Sequence, residues 1–483
     1  VPPGTRTHRT LDRFWVWASY GDTEINNITL SGYPDAPTLE NYAAKFDGQL
    51  ATNNSATFFY HYGDKAKQGR SAGPTRPPET AFDQTGPTDI WKLEDTHIFS
   101  PNFYLSLMGS IVGGGFQLVP PGRGPTDNPY QDVDGVWNNS FYNYYTDRPQ
   151  RQVRLEGNNF LTTGSWDHEL KYGYLWRDAE VDTLAYWGGE QVFGFEFYEP
   201  GYYYPGSPAF GLAIATRQVD YNTTTEYSSL YVGDTMLWGD LTLNVGLRYD
   251  KQNGTQNPSN IPGAPANSNP DVNLPPVSFS GKDLGFDWTT ITPRLGFTWA
   301  FNEGKSLVRG GYSQYADQLG TSTANWTNPF YWIAYQYTWY EDTNGDRDPD
   351  VDELFGNLGT AYFDPRFPDQ AVPINTVDPD LDAPLTDEFT VGIEHSLLPE
   401  FTVGAGYTYR TQEVTVSDLL VFDSQADYDA GGTGRRATRD DYVLQPTREL
   451  PDELVDAALG GFQPAEFHFV DGQVGQRTRL DQF

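Results

Sequence analysis

The run Asp342-Thr343-Asn344-Gly345-Asp346-Arg347-Asp348-Pro349-Asp350-Val351-Asp352-Glu353 carries oxygen-bearing side chains at positions 1, 3, 5, 7, 9 and 12 counted from Asp342. That is the spacing of an EF-hand loop, in which roughly six to eight hard oxygens surround Ca²⁺. Asp342, Asn344, Asp346, Asp348, Asp350 and Glu353 are therefore candidate Ca²⁺ ligands, with Glu353 as a bidentate closer. Two departures stand against this. Position 6 is Arg347 rather than the glycine of the sharp turn, and no flanking helices are expected. The bland alternative is a solvated acidic loop on an acidic chain.

A second set is aromatic. Phe193, Phe195, Phe197, Tyr198, Tyr202, Tyr203 and Tyr204 crowd one connecting segment. Phe195, Phe197, Tyr202, Tyr203 and Tyr204 are candidate substrate-binding residues, because aromatic faces give contact area at little entropy cost. Loop self-packing is the alternative. A third set is charged: Lys45, Asp47, Glu169, Lys171, Arg248, Asp250, Arg294 and Glu394. These line either a substrate path or a wall whose charges pair with one another. Nothing points to catalysis. The six histidines form no HExxH, and there is neither a GxSxG elbow nor a Walker A loop. The carboxylates single out no glycosidase pair.

The elements that must hold these residues repeat every two positions. Leu241, Leu243, Val245, Leu247 and Tyr249 alternate with Thr242, Asn244, Gly246, Arg248 and Asp250. Phe401, Val403, Ala405, Tyr407 and Tyr409 alternate with Thr402, Gly404, Gly406, Thr408 and Arg410. The same pattern runs through 42–50, 169–176, 291–301 and 389–394. Each run is near the ~9–11 residues a tilted strand needs to cross a bilayer. Short turns are expected at 53–55, 100–102, 163–165, 239–240, 302–305 and 398–400, with long connections at 64–88, 113–138, 178–225, 251–287 and 315–386. Sorting loops by length onto opposite ends is the signature of an outer-membrane β-barrel. The long loops form either an external cap or disordered segments. Six hairpins plus an opening strand near 11–26 give thirteen strands.

Composition agrees. The formal charge is −34, from 65 acidic and 31 basic residues, which excludes a nucleic-acid footprint. Thirty-two Tyr, 29 Phe and 13 Trp against 2 Met suit interface girdles better than one oily core. With no cysteine, disulfides and thiolate metal sites are out. No apolar run is long enough for a transmembrane helix, and a β-barrel needs none.

Several segments, in order, resemble the barrel of Oar-like TonB-dependent receptors, a subgroup that often carries a carboxypeptidase-regulatory-like domain. They are Phe14-Trp15-Val16-Trp17-Ala18-Ser19-Tyr20-Gly21, Ala72-Gly73-Pro74-Thr75-Arg76-Pro77-Pro78-Glu79-Thr80, Gly86-Pro87-Thr88-Asp89-Ile90-Trp91-Lys92-Leu93-Glu94-Asp95, Thr292-Pro293-Arg294-Leu295-Gly296-Phe297 and Thr386-Asp387-Glu388-Phe389-Thr390-Val391-Gly392-Ile393-Glu394. The resemblance spans about 11–417. It implies an all-β, antiparallel transmembrane barrel of 22 strands, of which this chain supplies about 13–14. It further implies the outer membrane of a Gram-negative bacterium, with lipid and lipopolysaccharide around the wall. The implied function is import of a bulky nutrient (glycan, peptide or iron chelate), driven by the TonB–ExbB–ExbD complex through an N-terminal plug. No plug or TonB box is seen in 1–483, so the chain is expected to be a barrel fragment. Its strands would occupy about 11–413, with a long external loop and the start of another strand in 414–483. The alternative is a passive or adhesive barrel whose acidic loops bind Ca²⁺.

Overall fold

In the computed structural model, the described residues are 13–29, 32–122, 124, 126–373, 375–377 and 381–412. Beyond these, only the backbone of four short strands is described: His8–Arg9, Val416–Phe422, Arg435–Arg436 and Gln476–Gln482. Gln476–Gln482, in the stretch 414–483 where a further strand was expected to start, pairs with Val416–Phe422 and Thr376–Val377 in a small sheet apart from the wall, and most of 414–475 lies outside the described residues.

Alternating residues of opposite polarity form strands wherever one face meets water and the other an apolar surface. Thirteen such strands make one antiparallel wall: β1 (Phe14–Glu24), β2 (Pro34–Ala51), β3 (Asn54–Arg70), β4 (Thr88–Ser100) and β5 (Phe103–Val119). Loop strands β6 (Tyr130–Gln131) and β7 (Trp137–Asn138) follow; β8 (Tyr142–Asp147) then pairs with the tops of β5 and β10, and the wall continues with β9 (Gln150–Thr163) and β10 (Trp166–Trp187). After loop strands β11 (Val192–Tyr198) and β12 (Phe210–Arg217) come β13 (Val219–Trp238), β14 (Leu241–Gln256), β15 (Trp288–Phe301) and β16 (Ser306–Ala316). Loop strands β17 (Ala334–Glu341) and β18 (Leu354–Ala361) precede the last wall strands, β19 (Leu385–Leu398) and β20 (Phe401–Gln412). Each wall strand pairs with its sequence neighbour, and among the described residues β1 and β20 do not pair with each other.

All six expected tight turns are present. Two of them use left-handed glycines, Gly164 at φ 64° and Gly239 at φ 54°, to reverse direction within two residues. Several strands run further than the sequence pattern suggested. β10 extends to Trp187 and β13 begins at Val219, both inside the segment read as a long loop. The outward face carries the large apolar side chains, such as Leu230 (55 % exposed) and Val232 (51 %). Aromatic pairs stack near the short turns, with Trp166–Trp238 centroids 5.5 Å apart and Phe99–Phe103 5.0 Å apart. Higher on the wall, Tyr20, Tyr42 and Tyr62 sit opposite one another on β1, β2 and β3. Such girdles suit the two membrane–water boundaries.

The long loops form a cap with a sheet of its own, ordered β7-β6-β11-β12-β17-β18. Its two faces are buried separately. Phe193 and Ile214 pack against Ala185, Trp187, Val219 and Tyr221 at the tops of β10 and β13. Val192, Ala213, Ala215 and Tyr340, on the other face, lie under Ala264, Ala266, Val272 and Leu274 from the 257–287 loop. Buried polar side chains staple these loops. Arg217 donates to the carbonyls of Pro275 and Pro368, each at 2.9 Å, and Gln336 donates to Asp271 O at 2.6 Å. Pairing these groups avoids the cost of burying unsatisfied donors.

Candidate functional site

Strand parity decides which side chains face the interior of the wall. The charged set expected there does face it, and it is largely paired. Lys45 meets Asp47 at 3.0 Å, Lys171 meets Glu169 at 2.8 Å and Arg248 meets Asp250 at 2.8 Å, all two residues apart on one face. Glu394 pairs across strands with Arg309 at 2.9 Å. Further pairs escaped the sequence reading: Lys92–Glu94 (2.7 Å), Arg154–Glu156 (3.2 Å) and Arg410 with Glu388. A polar inner face that satisfies itself is what a water-filled interior demands. Arg294 instead lies over the Tyr315 ring, at 5.2 Å. It shares a cavity of about 330 Å³ with Arg177, Arg248, Asp250 and Asp317.

A second cavity, of about 460 Å³, opens higher up, where the inner faces of the wall meet the cap. Tyr142 and Tyr144 of β8, Thr183, Ala185 and Trp187 of β10, and Val219 and Tyr221 of β13 form one side. Phe141, Tyr331, Trp332, Ile333 and Tyr335 complete the lining. The period-2 spacing within 142–144, 183–187 and 219–221 was the available signal, but 183–187 and 219–221 fell in a segment read as a loop. Burial pushes the Tyr221 hydroxyl up to about 12 and raises Tyr335 as well, so both stay protonated donors at neutral pH. The Trp187 indole N–H is buried, and the Tyr335 hydroxyl is the neighbouring group it acts on. A larger opening of about 680 Å³ includes Glu226, Asp283 and Asp287 in its lining and involves the outward-facing side of β13.

The aromatic residues singled out from sequence are divided by the fold. Phe195 joins the cap core, within 5.7 Å of Phe193 and of Trp137. Phe197 is exposed and meets Trp339 edge-on. Tyr202, Tyr203 and Tyr204 sit exposed in the 199–209 loop, where Tyr202 and Tyr203 gather around Tyr198 at 4.9 and 5.0 Å.

The acidic run 342–353 is the hairpin loop joining β17 to β18. Asp342 is buried and caps the turn, accepting from Gly345 N at 2.7 Å and Arg347 N at 3.1 Å. Arg347 takes φ 71°, the left-handed conformation that glycine usually supplies at this position, and is tied down by an ion pair with the buried Glu196 carboxylate. Asn344 bridges Asp346 and Asp350 at 2.9 and 2.8 Å. Glu353 accepts from Thr343 N and Asn344 N through Oε1, while its Oε2 is buried without a partner. Burial first, then the neighbouring carboxylates, push Asp348 up to about 7 and Asp350 up to about 6, although the Asn139 amide opposes this at Asp348. Among the described residues, no three acidic or His side chains converge closely enough to hold a metal.

Residues 16–413 match the family model described as "Outer membrane beta barrel domain". No curated protein sequence matches the chain. Among solved structures, the outer membrane transporter YddB from Escherichia coli superposes with a TM-score of 0.55 at 12 % identity, over 87 % of this chain and 47 % of that one. The closed form of the ferric-catecholate import receptor Fiu from E. coli K12 gives 0.46 at 13 % identity, over 85 % and 62 %. The siderophore receptor PiuA from Acinetobacter baumannii gives 0.43 at 15 % identity, over 83 % and 60 %. The chain thus spans about half the length of YddB.

Proposed function

From the premise that the chain belongs to the outer membrane beta barrel domain family, and so lies in the outer membrane, we propose that it is part of a TonB-dependent receptor that imports a bulky nutrient. The observation that carries this is the continuity of the inner face. The polar inner face, self-paired on β10 and β14, leads up along β10 and β13 into a cavity under the folded cap. Likeness to transport barrels supports the reading and gives no reason to assign catalysis. The Oar-like subgroup rests on the ordered motifs between 14 and 394, and the partners that go with it are the TonB–ExbB–ExbD complex, outer-membrane lipid and lipopolysaccharide. Uptake by cells with and without the gene for this chain, each with and without a protonophore, tests the proposal. Uptake that needs both the gene and the proton gradient supports it. Surface binding without uptake would instead favour an adhesive barrel.

The Ca²⁺ reading of 342–353 is carried by Glu353, which is 7 % exposed and leaves Oε2 without a partner. Asp342, Asn344, Asp346, Asp348, Asp350 and Glu353 would supply hard oxygens once the Asn344 bridge between Asp346 and Asp350 opens. Bound Ca²⁺ would neutralise carboxylates that now repel one another. Melting the purified chain in detergent with Ca²⁺ and with a chelator checks this: the cap melts higher with Ca²⁺, and superimposable curves sink the site.

A further inference from the structure

Resting on the import reading, we propose that the cavity between wall and cap is a carbohydrate site and that the imported solute is a neutral oligosaccharide. Its volume of about 460 Å³ lies in the range of small-molecule sites, roughly 300–1,000 Å³. No Lys, Arg, His, Asp or Glu lines it, in a chain of which 20 % is charged. An anionic chelate would therefore be desolvated there without a counter-charge. What the cavity offers is flat ring faces edged by hydroxyl groups. A sugar ring is the complement: apolar C–H faces to lie on Trp and Tyr, and a rim of hydroxyls to bond.

Two details favour a ligand over simple loop packing. Trp187 is 9 % exposed and lines the cavity beside Tyr335, so a ring and a phenolic hydroxyl stand side by side there, as a sugar's C–H face and hydroxyl rim require. Trp332 stays 43 % exposed, with its ring held flat by stacking on Tyr362 at 5.5 Å. It is a fixed platform at the rim, where burying a sugar face costs little ordering. A cavity of mixed charge, holding Arg177 of β10, Arg248 and Asp250 of β14, Arg294 of β15 and Asp317, lies lower on the wall. Arg177 is six residues below Thr183, or about 20 Å along the strand. A charged solute would find partners at that station and none at this one.

The test titrates the purified chain in detergent with neutral glucan, xylan, mannan, galactan and chitin oligosaccharides, with citrate as the anion and with choline as the cation that an aromatic cage could also hold. We expect at least one oligosaccharide to bind. Trp332→Ala should weaken it at least ten-fold, Tyr331→Phe by a smaller factor, and Arg177→Gln not at all. Binding of no oligosaccharide overturns the proposal. So does oligosaccharide binding that ignores Trp332→Ala, or choline or citrate binding that Trp332→Ala abolishes. Failure of the import reading is distinguishable: oligosaccharide binding without proton-gradient-dependent uptake keeps the site and removes import, whereas gradient-dependent uptake of an anion keeps import and removes the sugar site.

Discussion

Leu230 and Val232 on β13 point outward and remain half exposed, whereas Val192, Ala213 and Leu274 in the cap are fully buried. One chain thus handles its apolar residues in two ways. The wall leaves them on the surface, because in a membrane hydrocarbon tails supply the contact that a core would give. The cap stands in water and must bury its own, so it builds a sheet with both faces covered. It follows that the same kind of substitution should cost very different amounts in the two places.

Tyr340→Ala should show this most strongly. Tyr340 is fully buried between the cap sheet and the 257–287 loop, and truncating a large core side chain costs about 3–5 kcal/mol. Protease should then cut the cap loops while the wall keeps its heat-modifiable migration in detergent gels. If both fail together, wall and cap are one cooperative unit. Next comes Val232→Arg, on the outward face about midway along the membrane crossing, expected to cost ~2–4 kcal/mol in lipid. Ser106→Arg points inward toward Glu94 and Glu156 and should cost less than about 1 kcal/mol. Equal costs for these two in refolding titrations would erase the assigned inside and outside. Gly173→Ala should cost about 1–3 kcal/mol. A Cβ there would stand 2.7 Å from the Tyr231 ring and 2.9 Å from Leu155 O, a backbone atom that cannot yield cheaply. Near-native stability by denaturant titration would mean that the ring moves freely. Smallest is Lys45→Ala. Its partner Asp47 is open to solvent, so the change should stay within about 1 kcal/mol and shrink further in salt.

The wall was legible because its information is local. Thr242 to Asp250 declare their two faces within nine residues, and each tight turn joins sequence neighbours. Its length was not, because nothing in residues 178–187 separates a strand in lipid from one that continues into water. The cap was illegible for the opposite reason. Its sheet joins 130–138, 192–217 and 334–361, and two of its strands are only two residues long, too short to show a period. The aromatic cavity likewise draws on four separated stretches. The acidic loop could be found from sequence because all its oxygens sit within twelve consecutive residues.

β10 runs 22 residues without a break. At about 3.3 Å per residue and a tilt near 45°, it climbs about 50 Å, against about 30 Å of hydrocarbon. About 20 Å of it therefore stands clear of the hydrocarbon and carries the cap with it. The cap, with Tyr202, Tyr203 and Tyr204 exposed in one of its loops, is then the part of this protein that a bacteriophage or an antibody meets first. Selection by such enemies should diversify the loop surface while the aromatic cavity beneath it stays constant.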